Sequence, residues 1–262
     1  MKILPLSTEH VDDVITLIKS GMDPYLFSLM IYACPGYKNY VNSIVNVPYQ
    51  YSNCIFFGAF IEEKLAGFLE CRLTKNTLHY NNLFISPEIR GSGIGKELMK
   101  RGCKLAKEQD ISHLTCDVFD QNVTTKAWKE RTGFQVTEKT YWFMGKNPYN
   151  TNSSENISFK LKNYPQTEVA QKTYNFSLLE IETTNGEYTI GLVNDQYLRI
   201  TDIKCLQDSD LLKALSIIEP NRTLLVLSPS PDIQSLPNLK FICSNSRFKC
   251  LLTEYQYYKE VS

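Results

Sequence analysis

Apolar residues recur along this chain with two periods. Val11, Val14, Ile15 and Ile18 lie on one helical face. Ser7-Thr8-Glu9-His10 ahead of them reads as a helix cap. Residues 1–5 precede it as a short strand. Residues 21–48 form a mixed segment of one or two helices, with tyrosines at 25, 32, 37 and 40. Dense apolar runs at 51–61 and 65–73, parted by Glu62-Glu63-Lys64, predict a hairpin of central strands. A turn at Lys75-Asn76 leads to a strand over 78–85. Next come a glycine-rich loop, a helix over about 93–108, a strand over 113–119, a short helix over 122–131 and a strand over 134–144.

The second half has a different texture. Ten of the twelve glycines precede residue 150, as do all three histidines. Residues 147–156 are polar and aperiodic, so 147–160 reads as a linker between a domain over 1–146 and a second over 161–262. In the latter, strands are predicted over 176–183, 188–193 and 197–203, with turns at Asn185-Gly186 and Asn194-Asp195. A helix over 211–218 and strands over 224–227, 239–243 and 248–252 follow. This order echoes the middle of the first half, as a degenerate repeat of it would.

The composition, 43% hydrophobic and 21% charged over 262 residues, is that of a folded chain. No apolar run approaches the roughly 20 residues of a membrane helix, and Glu9, Asp12 and Asp13 interrupt any apolar signal core. A cytoplasmic protein is expected. The formal net charge is zero, and neither half has the basic excess that phosphate-backbone binding requires. Nucleic acid and anionic membrane surfaces are therefore not the expected partners. The eight cysteines include no Cys-x-x-Cys pair, so they are read as buried thiols and no metal is implied.

The densest chemistry lies in Leu83-Phe84-Ile85-Ser86-Pro87-Glu88-Ile89-Arg90-Gly91-Ser92-Gly93-Ile94-Gly95-Lys96. A strand runs into a turn, and alternate glycines open a helix. Glycines let main-chain N–H groups approach a ligand, and the helix start adds a partial positive charge, which suits a pyrophosphate. Arg90 and Lys96 flank the turn. The spacing does not fit the dinucleotide pattern Gly-x-Gly-x-x-Gly, and Glu97 stands where a P-loop has Ser or Thr.

The pattern Arg90-x-x-Gly93-x-Gly95 resembles the acyl-CoA pyrophosphate loop of the GNAT family of N-acetyltransferases. Asn122 opens the next helix and Gly133-Phe134 closes it, as in the family's second motif. The resemblance covers about residues 1–146. It implies an α/β (α+β) fold, with a mixed, mostly antiparallel central sheet flanked by helices. A smaller C-terminal α+β domain, recognised only as a degenerate repeat if at all, would complete the chain. It also implies acetyl-CoA as co-substrate. The backbone of Leu83, Phe84 and Ile85 would pair with the pantetheine arm. Arg90, Gly91, Ser92, Gly93, Ile94, Gly95 and Lys96 would cradle the pyrophosphate, and Asn122 would contribute from the second motif.

Acyl transfer from a thioester to an amine needs a neutral amine, a stabilised oxyanion and a proton for the leaving thiolate. The resemblance places His79, eleven residues before the loop, in the position of the base, acting directly or through a water. Its other reading is a half-buried histidine satisfying a local hydrogen bond. On a regular strand His79 would share a face with Asn81 and Leu83. Glu70 is the alternative carboxylate, or else a solvated strand charge. The oxyanion donor would be a main-chain N–H near Phe84–Ile85, at a strand bulge. Where the family commonly carries an acid tyrosine, four residues before Gly133-Phe134, this chain has Lys129. Lys129 is the candidate acid, or else a surface residue beside Lys126, Glu130 and Arg131. Tyr141 is a substitute donor. Tyr25 to Tyr40, Trp142 and Phe143 line an acceptor pocket or fill the core.

Two functions follow. One is acetyl transfer to a primary amine, on a small molecule or a peptide, by direct attack in a ternary complex. The other is a CoA-binding module with lapsed catalysis, used in regulation or assembly. The C-terminal part is expected to shape the acceptor site or a homodimer interface.

Overall fold

The computed structural model describes residues 1–149, 157–233 and 238–260. The chain divides into two compact units. Unit 1 comprises Met1–Phe27, Lys38–Glu138 and Asn245–Ser262; unit 2 comprises Ser28–Tyr37 and Lys139–Ser244. This is not the contiguous division expected from the sequence. The C-terminal strand is built into the first unit, and a short N-terminal segment into the second. Of the expected linker, residues 150–156 lie outside the described residues, and the far end already enters a strand.

Unit 1 begins with strand β1 (Lys2–Pro5), helix α1 (Val11–Gly21) and the short helix α2 (Pro24–Ser28). Helices α3 (Tyr37–Val45) and α4 (Tyr49–Ser52) follow. Strands β2 (Cys54–Ile61) and β3 (Lys64–Leu73) form the expected hairpin, closed by Glu62 and Glu63, both at positive φ. Then come β4 (Thr77–Ile85), α5 (Ile94–Glu108), β5 (His113–Phe119), α6 (Val123–Arg131) and β6 (Gln135–Gly145). Asn122 caps α6 by accepting a hydrogen bond from the Thr125 N–H at 3.1 Å.

Unit 2 adds β7 (Phe159–Leu161), α7 (Tyr164–Tyr174), β8 (Phe176–Thr183), β9 (Glu187–Val193) and β10 (Tyr197–Ile200). Helix α8 (Ser209–Ile218), β11 (Thr223–Ser228) and β12 (Lys240–Leu251) complete it. Helix α7 is not visible as an apolar stripe, because Thr167 is its one buried residue. The two strands expected at 239–243 and 248–252 are one strand.

The sheet of unit 1 runs β1-β2-β3-β4-β5 and then the 245–251 part of β12. Only the β4–β5 pair is parallel; β1–β2, β2–β3, β3–β4 and β5–β12 are antiparallel. The sheet of unit 2 runs β7-β8-β9-β10-β11 and then the 141–145 part of β6. Its one parallel pair is β10–β11. Each sheet therefore has the same order and the same strand senses. The core of unit 1 joins the sheet to Ile94, Leu98, Met99, Cys103, Leu105 and Ala106 of α5. The core of unit 2 joins its sheet to Leu211, Leu212, Ala214 and Leu215 of α8. All eight cysteines are buried.

Candidate functional site

Strand β4 and helix α5 build the glycine turn. Gly91 and Gly93 have φ of 83° and 88°, and nothing lies within 4 Å of where a Cβ would stand on either. Both need glycine for backbone reasons, and both border open space. Gly95 differs: it is helical, and a Cβ there would meet the Trp128 ring at 3.4 Å. Gly93 is the residue from which α5 starts. Ile94 is buried beneath the turn. The Arg90 Nε donates to the Ile85 carbonyl at 3.3 Å, and Ser92 Oγ to the Ile89 carbonyl at 2.7 Å. Lys96 lies over the Tyr257 ring, 3.5 Å from Glu260, which also pairs with Lys100 at 2.6 Å.

Next to this turn the sheet opens. Strands β4 and β5 pair from Thr77↔His113 to Tyr80↔Cys116 and no further. Beyond that point β4 continues through Leu83, Phe84 and Ile85 with its β5 side unpaired. The strand edge and the glycine turn are the two features the sequence singled out, and the fold makes them contiguous.

A bulge corrects the expected facing. The β3–β4 register shifts between Glu70 and Cys71, pairing Glu70 with Asn82 and Cys71 with Tyr80, so Asn81 is the extra residue. His79, Asn82 and Phe84 therefore share the face of Glu70 and Arg72, and Asn81 and Leu83 do not join His79. The bulge also lies earlier than the Phe84–Ile85 position expected for the oxyanion donor.

On that face His79 Nδ1 is 3.0 Å from Thr115 Oγ1, and Nε2 is 3.9 Å from Asp117. Burial lowers the His79 pKa, with the Asp117 carboxylate opposing. Asp117 itself accepts two hydrogen bonds from Arg247, each 2.8 Å. Glu70 is 1% exposed, which overturns the solvated reading. It accepts from Arg72 Nε at 3.0 Å and Asn82 Nδ2 at 2.5 Å, and Arg72 also donates to the Tyr40 hydroxyl.

Lys129 overturns the surface reading more sharply. It is 3% exposed. Its Nζ lies 3.2 Å from Met99 Sδ and 5.1–5.3 Å from the ring centres of Trp128, Phe134 and Tyr80. The Cys116 thiol also bears on it electrostatically. No ion pair joins it to a carboxylate among the described residues. Burial holds its pKa below the ordinary lysine value, partly opposed by the Cys116 thiol. Tyr80 and Cys116 are also the last β4–β5 pair. The amine thus sits at the apex of the opening. Sequence reasoning named Lys129 but missed Met99, Tyr80 and Cys116, which come from three other elements.

The remaining aromatic candidates separate. Tyr25 is exposed, Tyr37 is buried in contact with Tyr32, and Phe143 belongs to the unit 2 core. Trp142 is buried, and Tyr141 packs on Phe241. In unit 2 the start of α8, the topological counterpart of α5, carries no glycine turn. Asp208 occupies it, accepting from the N–H groups of Asp210 and Leu211 and from Thr183 and Asn185 side chains. Among the described residues no helix is long and apolar enough to cross a membrane, and no cluster of metal-ligating side chains occurs.

The strand order, the parallel pair that opens and the glycine turn define a protein of the acetyltransferase fold. Residues 30–134 match the model of the Acetyltransferase (GNAT) family, and this segment belongs to that family. Among curated relatives, a spermidine N(1)-acetyltransferase of Thermoplasma acidophilum is 30% identical over 84 residues, 32% of this chain and 52% of that one. A peptidyl-lysine N-acetyltransferase, YjaB of Salmonella typhimurium, is 37% identical over 62 residues, 24% of this chain and 39% of that one. The chain thus spans about half the length of these relatives or less. Among solved structures, a tandem GNAT protein from the clavulanic acid biosynthesis pathway aligns over 96% of this chain and 98% of its own. The TM-score is 0.66 at 14% identity, so the likeness is one of fold. The whole chain has the fold of a tandem GNAT protein.

Proposed function

We propose that the protein transfers an acetyl group from acetyl-CoA to a primary amine by direct attack in a ternary complex, with one CoA site per chain, in unit 1. The observation that carries this reading is the opening of β4 from β5 beside two positive-φ glycines at a helix start. The unpaired β4 edge at 83–85 takes the pantetheine arm by main-chain hydrogen bonds. The turn from Arg90 to Lys96, with Asn122 of the second motif, takes the pyrophosphate. Unit 2 is a GNAT-like repeat whose own helix start is filled by the Asp208 carboxylate, so a second pyrophosphate finds no place there. Both curated relatives are named for amine acceptors, which supports a primary amine here.

Lys129, at the apex, is the donor for the CoA thiolate. A lysine proton held below its ordinary pKa is a better acid than an exposed one. His79 takes the proton of the attacking amine, directly or through a water; its lowered pKa keeps it neutral and so able to accept one. A second reading, a CoA-binding module without turnover, is favoured by one observation: both His79 nitrogens already face Thr115 and Asp117.

Calorimetry with acetyl-CoA and with CoA, followed by thiol release with polyamine and lysyl-peptide acceptors, tests both. One site per chain and thiol release that His79→Ala diminishes support the enzyme. Binding without release for any amine supports the module. No binding by folded protein refutes the CoA site itself.

A further inference from the structure

After β12 the chain turns back across unit 1 as residues 252–260, and this segment reaches both the turn beyond Lys129 and the helix that follows the glycines. Main-chain contacts lock it to the turn that ends α6. The Gln256 N–H donates to the Thr132 carbonyl at 3.2 Å. A Cβ on Gly133, which has φ of 97°, would stand 3.1 Å from the Glu254 carbonyl oxygen. Glycine is needed there twice, for the left-handed backbone and for the close approach. At its far end the segment meets α5. The Tyr257 ring centre is 4.9 Å from Lys96 Nζ, and Glu260 pairs with Lys96 and Lys100.

Between these anchors stands Tyr255. It is 2% exposed, and its ring meets Phe134 edge-to-face at 5.6 Å between centres. Phe134 is one wall of the Lys129 enclosure. Its ring centre is 5.1 Å from the amine and 6.5 Å from that of Tyr80, another wall. The main chain repeats the connection, because the Phe134 N–H and the Thr132 hydroxyl both donate to the Lys129 carbonyl, at 3.1 and 2.9 Å. Tyr255 thus backs the ring that faces Lys129. The Tyr255 hydroxyl is buried and has no hydrogen-bond partner among the described residues. The ring, and not the oxygen, makes the contact.

The groups that bear on Lys129 are Met99 of α5, Tyr80 of β4, Cys116 of β5, Cys71 of β3 and Trp128 of its own helix, and none is a carboxylate. The state of its amine is therefore set by how well water is kept out. We propose, resting on the reading of Lys129 as the thiolate donor, that Tyr255 is a positioning residue for it: the tyrosine ring holds Phe134 over the amine and seals the α6 turn against water. Without that ring a cavity would open behind Phe134, and the surrounding core would close it only in part.

The test uses the full chain, isotope-labelled at the lysine Cε, and follows the Lys129 signal by NMR as the pH is raised. Loss of the signal in Lys129→Met assigns it. In the wild type it should titrate below the ordinary lysine value of 10.5. In Tyr255→Ala the titration should move up by about one pH unit as water enters. In Tyr255→Phe, which keeps the ring, it should return to the wild-type position. Tyr255→Leu, which keeps apolar bulk, serves where the alanine variant does not fold, and should lie between. Thiol release from acetyl-CoA with a polyamine or a lysyl peptide is measured alongside. There kcat should fall about tenfold in Tyr255→Ala, with KM for acetyl-CoA little changed, and recover in Tyr255→Phe. A Lys129 titration unmoved in folded Tyr255→Ala or Tyr255→Leu, or moved equally by Tyr255→Phe, overturns the proposal; so does a wild-type Lys129 that titrates at the ordinary value. A titration that moves while kcat does not refutes the donor role of Lys129 and leaves the hold of Tyr255 on its enclosure standing.

Discussion

Replacing Lys129 with Met keeps the length and much of the shape of the side chain and removes only the amine. Two opposing effects set the outcome. Contacts with three aromatic rings favour an ammonium by about 0.5–2 kcal/mol each. Removing the charge from water costs several kcal/mol, with no carboxylate to offset it. The lowered pKa shows that desolvation prevails. The folded protein therefore releases this proton at a lower pH than the unfolded chain does. Between those two pKa values the unfolded chain binds more protons, so stability rises with pH through that window. Below it the full burial penalty applies, and above the ordinary lysine value of 10.5 it is gone. Each unit of separation is worth about 1.4 kcal/mol. At neutral pH Lys129→Met should thus be more stable than the wild type by about 1–4 kcal/mol, or about 2–4 °C in Tm per kcal/mol. The advantage should shrink as the pH rises towards the lysine range. Turnover should fall by about 10²–10⁴-fold with the CoA Kd unchanged, as for loss of a proton donor. Denaturant titrations across pH and thiol-release kinetics read both quantities. A variant destabilised equally at every pH would refute the burial argument, and unchanged kcat would refute the donor role.

Three further outcomes follow from the same geometry. Gly93→Ala meets no neighbour but must hold φ at 88°, which costs about 1–2 kcal/mol by the left-handed penalty; denaturant unfolding should show that loss, and calorimetry a weaker CoA site. Glu70→Gln removes the buried charge that Arg72 and Asn82 bind. With the Arg72 side chain 40% exposed and able to turn to water, the loss should be about 1–3 kcal/mol in denaturant unfolding. Glu260→Gln frees Lys96 and Lys100 from their carboxylate, so CoA should bind a few-fold more tightly at low salt and equally at high salt, where surface pairs are screened; equal affinity at low salt would remove Lys96 from the CoA site.

Much of unit 1 was legible because its signals are local. The stripe of Val11, Val14 and Ile18, the Asn122 cap and the glycines that open α5 each concern residues within a turn or two of one another. The conformations they require belong to the residues themselves: a left-handed φ for Gly93, an oxygen to cap α6 for Asn122. The pairing of β5 with residues 245–251 is not of this kind. Ser244-Asn245-Ser246 reads as a break, yet it runs within one strand because its partner lies more than a hundred residues away. Nor could the pattern reveal the bulge at Asn81, which only the register against β3 defines.

Lys129 shows the limit most directly. Its neighbours Lys126, Glu130 and Arg131 make a polar helix, and every local signal puts it in solvent. Met99, Tyr80, Cys116 and Phe134 close over it from α5, β4, β5 and the turn after α6. The amino-acid sequence by itself determined where helices, strands and the glycine turn form, since these depend on backbone preferences and short-range periodicity. Which charges are buried, which are paired and which stand alone was decided by tertiary structure, because desolvation depends on every neighbour brought in from elsewhere along the chain.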